Sequence, residues 1–471
     1  MKKAEQDPPG EGATDKPKHW WHDRRKLAGA IAALLIVAGG TAAIAYDQLK
    51  RPDDVSNPNV VFKKERQPDP VVKTTNWPMF GYDRARTRYL PSDKVKPPYK
   101  RRWKYGDGPL LEFPPIFVRA KNLCLKRKRK PKELGCEGRL FFVDNNGRAF
   151  SLDANTGKII WKREIASKNA TSPAYSDGQL FITNLVPGQA LSLDARTGKT
   201  IWKRELPGRS ESSPMVIGNR VFFGCECGEL FALNTKTGKT QWSTDLGGEI
   251  KAAPAYDKGT LYVGNYSGIM SAVSARDGDI KWQSDALGPG LGRAGAFYAT
   301  PAVAFGRVYS GNNDSRVYSF DAETGEVAWT YSTGGFVYSG TAVADTKETD
   351  PTVYVGSFDG NAYALDAKSG EVRWSKSVGG PVIGSVSIVG EVLYVSTFEE
   401  TTSYGLRLKD GEQKFSFPTG AYMPVISDGR RIYLTGYSSI HALDPAKRKK
   451  PGGKGQGTRS GTRKGSGKAG N

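Results

Sequence analysis

A ten-residue phrase returns along this chain at nearly constant spacing. It reads LDANTGKIIW ending at Trp161, LDARTGKTIW at Trp202, LNTKTGKTQW at Trp242 and VSARDGDIKW at Trp282. FDAETGEVAW ends at Trp329, LDAKSGEVRW at Trp374, and a degenerate LRLKDGEQKF at Phe415. The steps between these ends are 41, 40, 40, 47, 45 and 41 residues. A period near 40 is shared by propeller blades and some helical arrays, so the local pattern has to decide. Within each unit the apolar residues alternate in short runs, as in QLFIT and ALSLDA of the second unit, and turn residues punctuate them. That is the signature of four short strands per unit.

The turn inside the phrase has its own chemistry. Asp153, Asp194, Asp321 and Asp366 can accept backbone N–H bonds within the turn, and a glycine such as Gly198 supplies the positive φ a tight hairpin needs. The aromatic ring four residues later suits the cleft between neighbouring blades. Trp161, Trp202, Trp242, Trp282, Trp329 and Trp374 are therefore read as structural, and the repeated aspartates as turn residues rather than a catalytic carboxylate set.

Seven units have all four strands. An eighth, from PVIS through RRIYLTG to IHALDP, stops at Asp444-Pro445 without its fourth strand. Tyr99 to Tyr105, YKRRWKY, places Trp103 where that strand's tryptophan belongs. The expectation is an all-β, eight-bladed β-propeller over 76–445, closed by its N-terminal strand so that no sheet edge is left open.

Before the propeller, Leu27–Tyr46 is a 20-residue stretch without a charge, long enough as a helix to cross roughly 30 Å of hydrocarbon. Trp20, Trp21 and Tyr46 flank it, and Arg24, Arg25 and Lys26 precede it. The basic flank keeps 1–26 cytoplasmic and sends the rest outside. The expectation is one transmembrane helix at 27–46, a single-pass anchor in the cytoplasmic membrane, with a cleavable signal peptide ending at Ala43-Ile44-Ala45 as the rival. Residues 47–75 read as an extended stalk.

The net charge of +21 invites a nucleic-acid reading until it is located. The tail 446–471 carries +9, the stretch 119–139 carries +7 and 76–118 carries +5, whereas 140–445 carries −3. The tail is too poor in apolar residues to fold and reads as disordered. The basic insertion 119–139 joins the first two strands of blade one, on the face opposite the inter-blade loops. Outside the cytoplasm, their counterparts are anionic envelope polymers or lipid head groups, and nucleic acid is not expected.

The loops joining one blade to the next ring one mouth of the channel. Arg209, Lys251, Arg293, Phe297, Tyr298, Phe336, Tyr338 and Tyr422 place cations and aromatics there, a candidate rim for an envelope protein, a peptide or an anionic small molecule. Cys124 and Cys136 bracket the basic insertion and are expected to form a disulfide in an oxidising exterior. Cys225-Glu226-Cys227 is open to three readings: a disulfide, a soft-metal site or two thiols. Histidine is limited to His19, His22 and His441. No nucleophile elbow, phosphate loop or zinc spacing occurs.

The phrase A-x-D-x-x-T-G-x-x-x-W, with the entry motif NWPMFGYDRARTRYLP at 76–91, resembles the pyrroloquinoline-quinone-type β-propellers. That family includes quinoprotein dehydrogenases and cofactor-free relatives, such as the scaffolding lipoprotein of outer-membrane β-barrel assembly. The dehydrogenases carry adjacent cysteines facing the quinone, and a calcium ion held by acidic and amide side chains. This chain has no Cys-Cys pair. The expectation is a non-catalytic binding or scaffolding module with no cofactor, the alternative a quinoprotein dehydrogenase with an altered site that takes the quinone (PQQ) and calcium.

Overall fold

In a computed structural model, the described residues are 52–64, 76–106, 108–124, 134–290, 295–420, 422 and 425–446. The chain divides into two units, and the propeller lies entirely within the second, Asp54–Ala286 with Gly295–Asn471. Of the first, only 52–53 and 287–290 are described. The proposed transmembrane segment 27–46, residues 125–133 of the basic insertion and the tail beyond Ala446 lie outside the described residues. Among the described residues no helix is long and apolar enough to cross a membrane.

Eight sheets of the expected kind are present. Blade one is Ile116–Val118, Arg139–Val143, Arg148–Asp153 and Ile159–Glu164, each strand antiparallel to the next. The last blade is Val425–Ser427, Ile432–Thr435 and Ser439–Pro445, completed by Tyr99–Gly106, with Trp103 opposite Ala442. The ring therefore closes between the chain's own ends, as the missing fourth strand requires. Innermost strands of successive blades lie side by side around the axis, including the first and last.

The repeated tryptophan shows why the phrase repeats. Each ring lies over the turn glycine of the following blade. A Cβ on Gly198 would stand 2.7 Å from Trp161, and one on Gly370 2.7 Å from Trp329. These glycines thus have two reasons to be glycine, a positive φ of 73° and 79° and a tryptophan where a side chain would go. The indole N–H then donates across the blade boundary: Trp161 to Ala195 O, Trp202 to Thr235 O, Trp329 to Ala367 O, Trp374 to Leu408 O. Trp103 makes the same bond to Ala154 O, which locks the closing strand onto blade one. Trp242 is the exception: the equivalent carbonyl, Ala275 O, accepts from Arg220 Nη1 at 2.7 Å. Its indole nitrogen is buried without a partner.

The entry motif forms neither a blade nor a rim. It runs round the inside of the ring, its backbone bonding the innermost strand of blade after blade. Trp77 pairs with Phe117, and Pro78 O accepts from Tyr175 N. Arg84 O, Ala85 O, Thr87 O and Arg88 O accept from Tyr256, Val303, Val343 and Ile388. Tyr89–Leu90 ends it as a parallel fifth strand on blade seven. The channel is plugged. Two guanidiniums sit at its centre: Arg86 donates to the carbonyls of Phe80, Pro254, Ser213 and Pro214, and Arg88 to those of Arg86, Thr341 and Thr300. Burial draws both pKa values down to about 9.

One expectation is corrected. Residues 54–64, taken as part of an extended stalk, lie along blade five. The Asp54 carboxylate accepts from Thr330 Oγ1 and from both N and Oγ of Ser332, and pairs with the Arg316 guanidinium at 3.3 Å. Val60 is buried and Phe62 packs on Phe305. These side chains give an otherwise solvated strand a reason to adhere. Cys124 and Cys136 form the expected disulfide.

Candidate functional site

The plug leaves a small cleft at one mouth, open to solvent, with a cavity volume of about 50 Å³ and Phe80 in its lining. Its wall is built by a repeated backbone device. In five of the inter-blade loops, one N–H donates to a carbonyl in the loop between the second and third strands of the preceding blade. Ser210 donates to Asn184, Ile250 to Cys225, Phe297 to Asn265, Val337 to Asn312 and Val382 to Ser357. The next residue then faces the axis: Glu211, Lys251, Tyr298, Tyr338 and Ile383 all line the cleft. Leu111 N donates likewise to Tyr437 O and delivers Glu112 from the loop after the closing strand. Phe113 and Tyr422 complete the wall.

The electrostatics divide the ring in two. Glu112 accepts an amide bond from Asn145 at 3.2 Å. Burial, and then the nearby Glu211 carboxylate, push its pKa up to about 7, against a smaller opposing pull from Lys251. Glu211 is also raised, mainly by burial. The Lys251 ammonium stands 3.5 Å from Glu211 and 3.9 Å from Glu226, with the Tyr266 ring centroid 4.9 Å away. Burial raises the phenols of Tyr298 and Tyr422, and Glu211 and Glu112 raise Tyr298 further while Glu112 does the same for Tyr422. The opposite wall is aromatic, with Tyr298 edge-on to Tyr338 at 5.5 Å and Tyr338 to Phe336 at 5.8 Å. Phe358, Phe398, Tyr266 and Tyr437 extend these rings onto the exposed rim.

Of the rim residues expected from sequence, Lys251, Tyr298, Tyr338 and Tyr422 line the cleft, and Phe336 stands exposed beside it. Arg209 lies outside, its guanidinium held by Glu226 at 2.6 Å. Phe297 is not a rim residue. It is fully buried against Tyr318 and Phe320, because its backbone N–H makes the loop bond and turns its side chain into the blade. Arg293 falls outside the described residues. Cys225 and Cys227 are paired, bracing the loop that carries Glu226. His441 is buried, beside Ser439 Oγ at 3.0 Å and Phe417.

Sequence reading missed the acidic half. Glu112 sits in a loop that precedes the repeats in the chain and joins the ring only by closure. A signal was nevertheless present: Glu211, Lys251 and Tyr298 each lie three residues before a loop-ending proline, as Glu112 lies before Pro115.

The architecture is that of an eight-bladed PQQ-like propeller. The chain belongs to the PQQ-like β-propeller family whose model is described as "Outer membrane protein assembly factor BamB", matched over 131–248, 187–335 and 237–450. Among solved structures, BamB from Moraxella catarrhalis is 18% identical, with TM-score 0.54, covering 70% of this chain and 98% of that one. Quinohemoprotein alcohol dehydrogenase from Comamonas testosteroni is 14% identical, TM-score 0.62, covering 81% and 83%. A europium-containing methanol dehydrogenase is 13% identical, TM-score 0.63, covering 79% and 98%. At such identities the likeness is one of fold. No curated protein matches the chain.

Pyrroloquinoline quinone is a planar tricarboxylate, so a site for it needs cations or a metal facing its carboxylates. Here the polar wall is Glu112 and Glu211, and Lys251 is already paired with carboxylates. Among the described residues no three His, Cys, Asp or Glu side chains converge as a metal site. The cleft thus offers such a cofactor two carboxylates and one already paired ammonium.

Proposed function

We propose that this chain is a non-catalytic binding or scaffolding module of the cell envelope, carried outside the cytoplasmic membrane by a single-pass anchor at 27–46. The observation that carries the reading is the plugged channel whose mouth presents carboxylates and aromatic rings in place of a cofactor site. Kinship with an outer-membrane assembly factor supports a protein or peptide partner at this mouth. The basic insertion, the tail and the exposed cations of Tyr99–Gly106 favour a second attraction, to anionic envelope polymers or lipid head groups.

The dehydrogenase alternative draws on one local feature, the Cys225–Cys227 bridge close to the mouth. Titrating the purified protein with pyrroloquinoline quinone and calcium separates the two. The module reading expects no bound quinone spectrum and no alcohol- or sugar-dependent dye reduction. Appearance of either overturns it.

A further inference from the structure

The cleft's charge and lining indicate what it accepts. Its carboxylates exceed its cations: Lys251 is shared by Glu211 and Glu226, Arg209 is taken by Glu226, and Glu112 has an amide as its hydrogen-bond partner. Arg86 and Arg88 lie behind the Phe80 ring and are spent on backbone carbonyls. Burial raises the phenols of Tyr298 and Tyr422, and the carboxylates add to it, Glu112 at both and Glu211 at Tyr298, so the acidic groups face the same space as the rings. Aromatic faces complete the site, and a ring face attracts cations. The protein also displays the mode of binding on itself, since the Lys251 ammonium sits between two carboxylates and the face of Tyr266.

We infer that this cleft is a receptor for an organic ammonium group, seated on Glu112 and Glu211, with its alkyl stem against Phe113, Tyr298, Tyr338 and Tyr422. The inference rests on the binding-module reading and specifies its ligand. It differs from the anionic small molecule offered among the rim's ligands, because two carboxylates line the cleft. A lysine side chain of a partner and a free alkylamine share this chemistry.

The test is calorimetric titration of the full chain with n-hexylamine, the peptide Gly-Gly-Lys-Gly-Gly and, as an anionic control, Gly-Gly-Glu-Gly-Gly. The ammonium probes bind and the control does not. Glu112→Gln weakens binding at least tenfold, while Val372→Ser, exposed on an outer strand and not lining the cleft, leaves it unchanged. Affinity rises between pH 6 and 8 as Glu112 ionises. If the peptide binds at least tenfold tighter than hexylamine, the source is a protein lysine; the reverse order assigns a free amine. Binding of the glutamate peptide, an unaltered Glu112→Gln variant that retains its native circular dichroism, or no binding by either ammonium probe overturns the inference. Those failures leave the module reading standing, which only quinone binding or dye reduction removes.

Discussion

Removing the indole N–H from two equivalent tryptophans should have opposite consequences. Trp329 is 1% exposed and donates to Ala367 O at 3.1 Å, whereas the indole nitrogen of Trp242 is buried with no acceptor. In Trp329→Phe the lost bond costs about 0.5–1.5 kcal/mol. The lower part of that range is favoured because Ala367 O keeps the Tyr309 hydroxyl at 2.9 Å. The smaller ring leaves a gap on Gly370, adding about 1 kcal/mol. Trp242→Phe suffers a similar or smaller packing loss but relieves an unpaired buried donor, a gain of about 1–3 kcal/mol. The first variant is therefore expected to be about 2 kcal/mol less stable than the second. With an unfolding entropy of about 2.1 cal/mol/K per residue, a propeller of this size loses about 1.3 °C per kcal/mol, which places the two melting temperatures about 2.5 °C apart. Scanning calorimetry of the variants in parallel reads this difference directly. Equal shifts for both would refute the role given to the cross-blade bond.

Arg86→Met strips the donors from four carbonyls at the centre of the plug and should cost about 3–5 kcal/mol in urea unfolding, with loss of the mouth cleft. Stability should fall as pH rises from about 5 to 7.5, because native Glu112 holds its proton up to about 7 while the unfolded chain releases it in the ordinary carboxylate range. Glu112→Gln should make this slope shallower in melts across that window. Asp54→Ala should free the strap from blade five, lowering stability by about 1–3 kcal/mol and opening 54–64 to limited proteolysis well below the melting temperature.

How far the site could be read in advance is clearest in two adjacent residues. Phe297 and Tyr298 are alike in the sequence, both aromatic in one glycine-rich loop. One fills the blade interior and the other the cleft, because the backbone bond to Asn265 fixes which of them turns inward. No local periodicity carries that information. The strap shows the same limit, since proline-rich chain of mixed charge looks solvated until Asp54 meets Thr330, Ser332 and Arg316 from far along the sequence.

What the sequence determined was the part built from neighbours. The aspartate and glycine of each turn and the tryptophan four residues on act within one hairpin and the next, and the missing fourth strand of the eighth unit calls for Trp103 by simple counting. What only the tertiary structure decided was the content of the axis. The entry motif becomes a plug, and Glu112 joins Glu211 and Lys251, because closing the ring brings seven loops, spread over some 300 residues of chain, to one point. Local interactions can be read from the chain in order; a charge set assembled by circular closure exists only once the ring is shut.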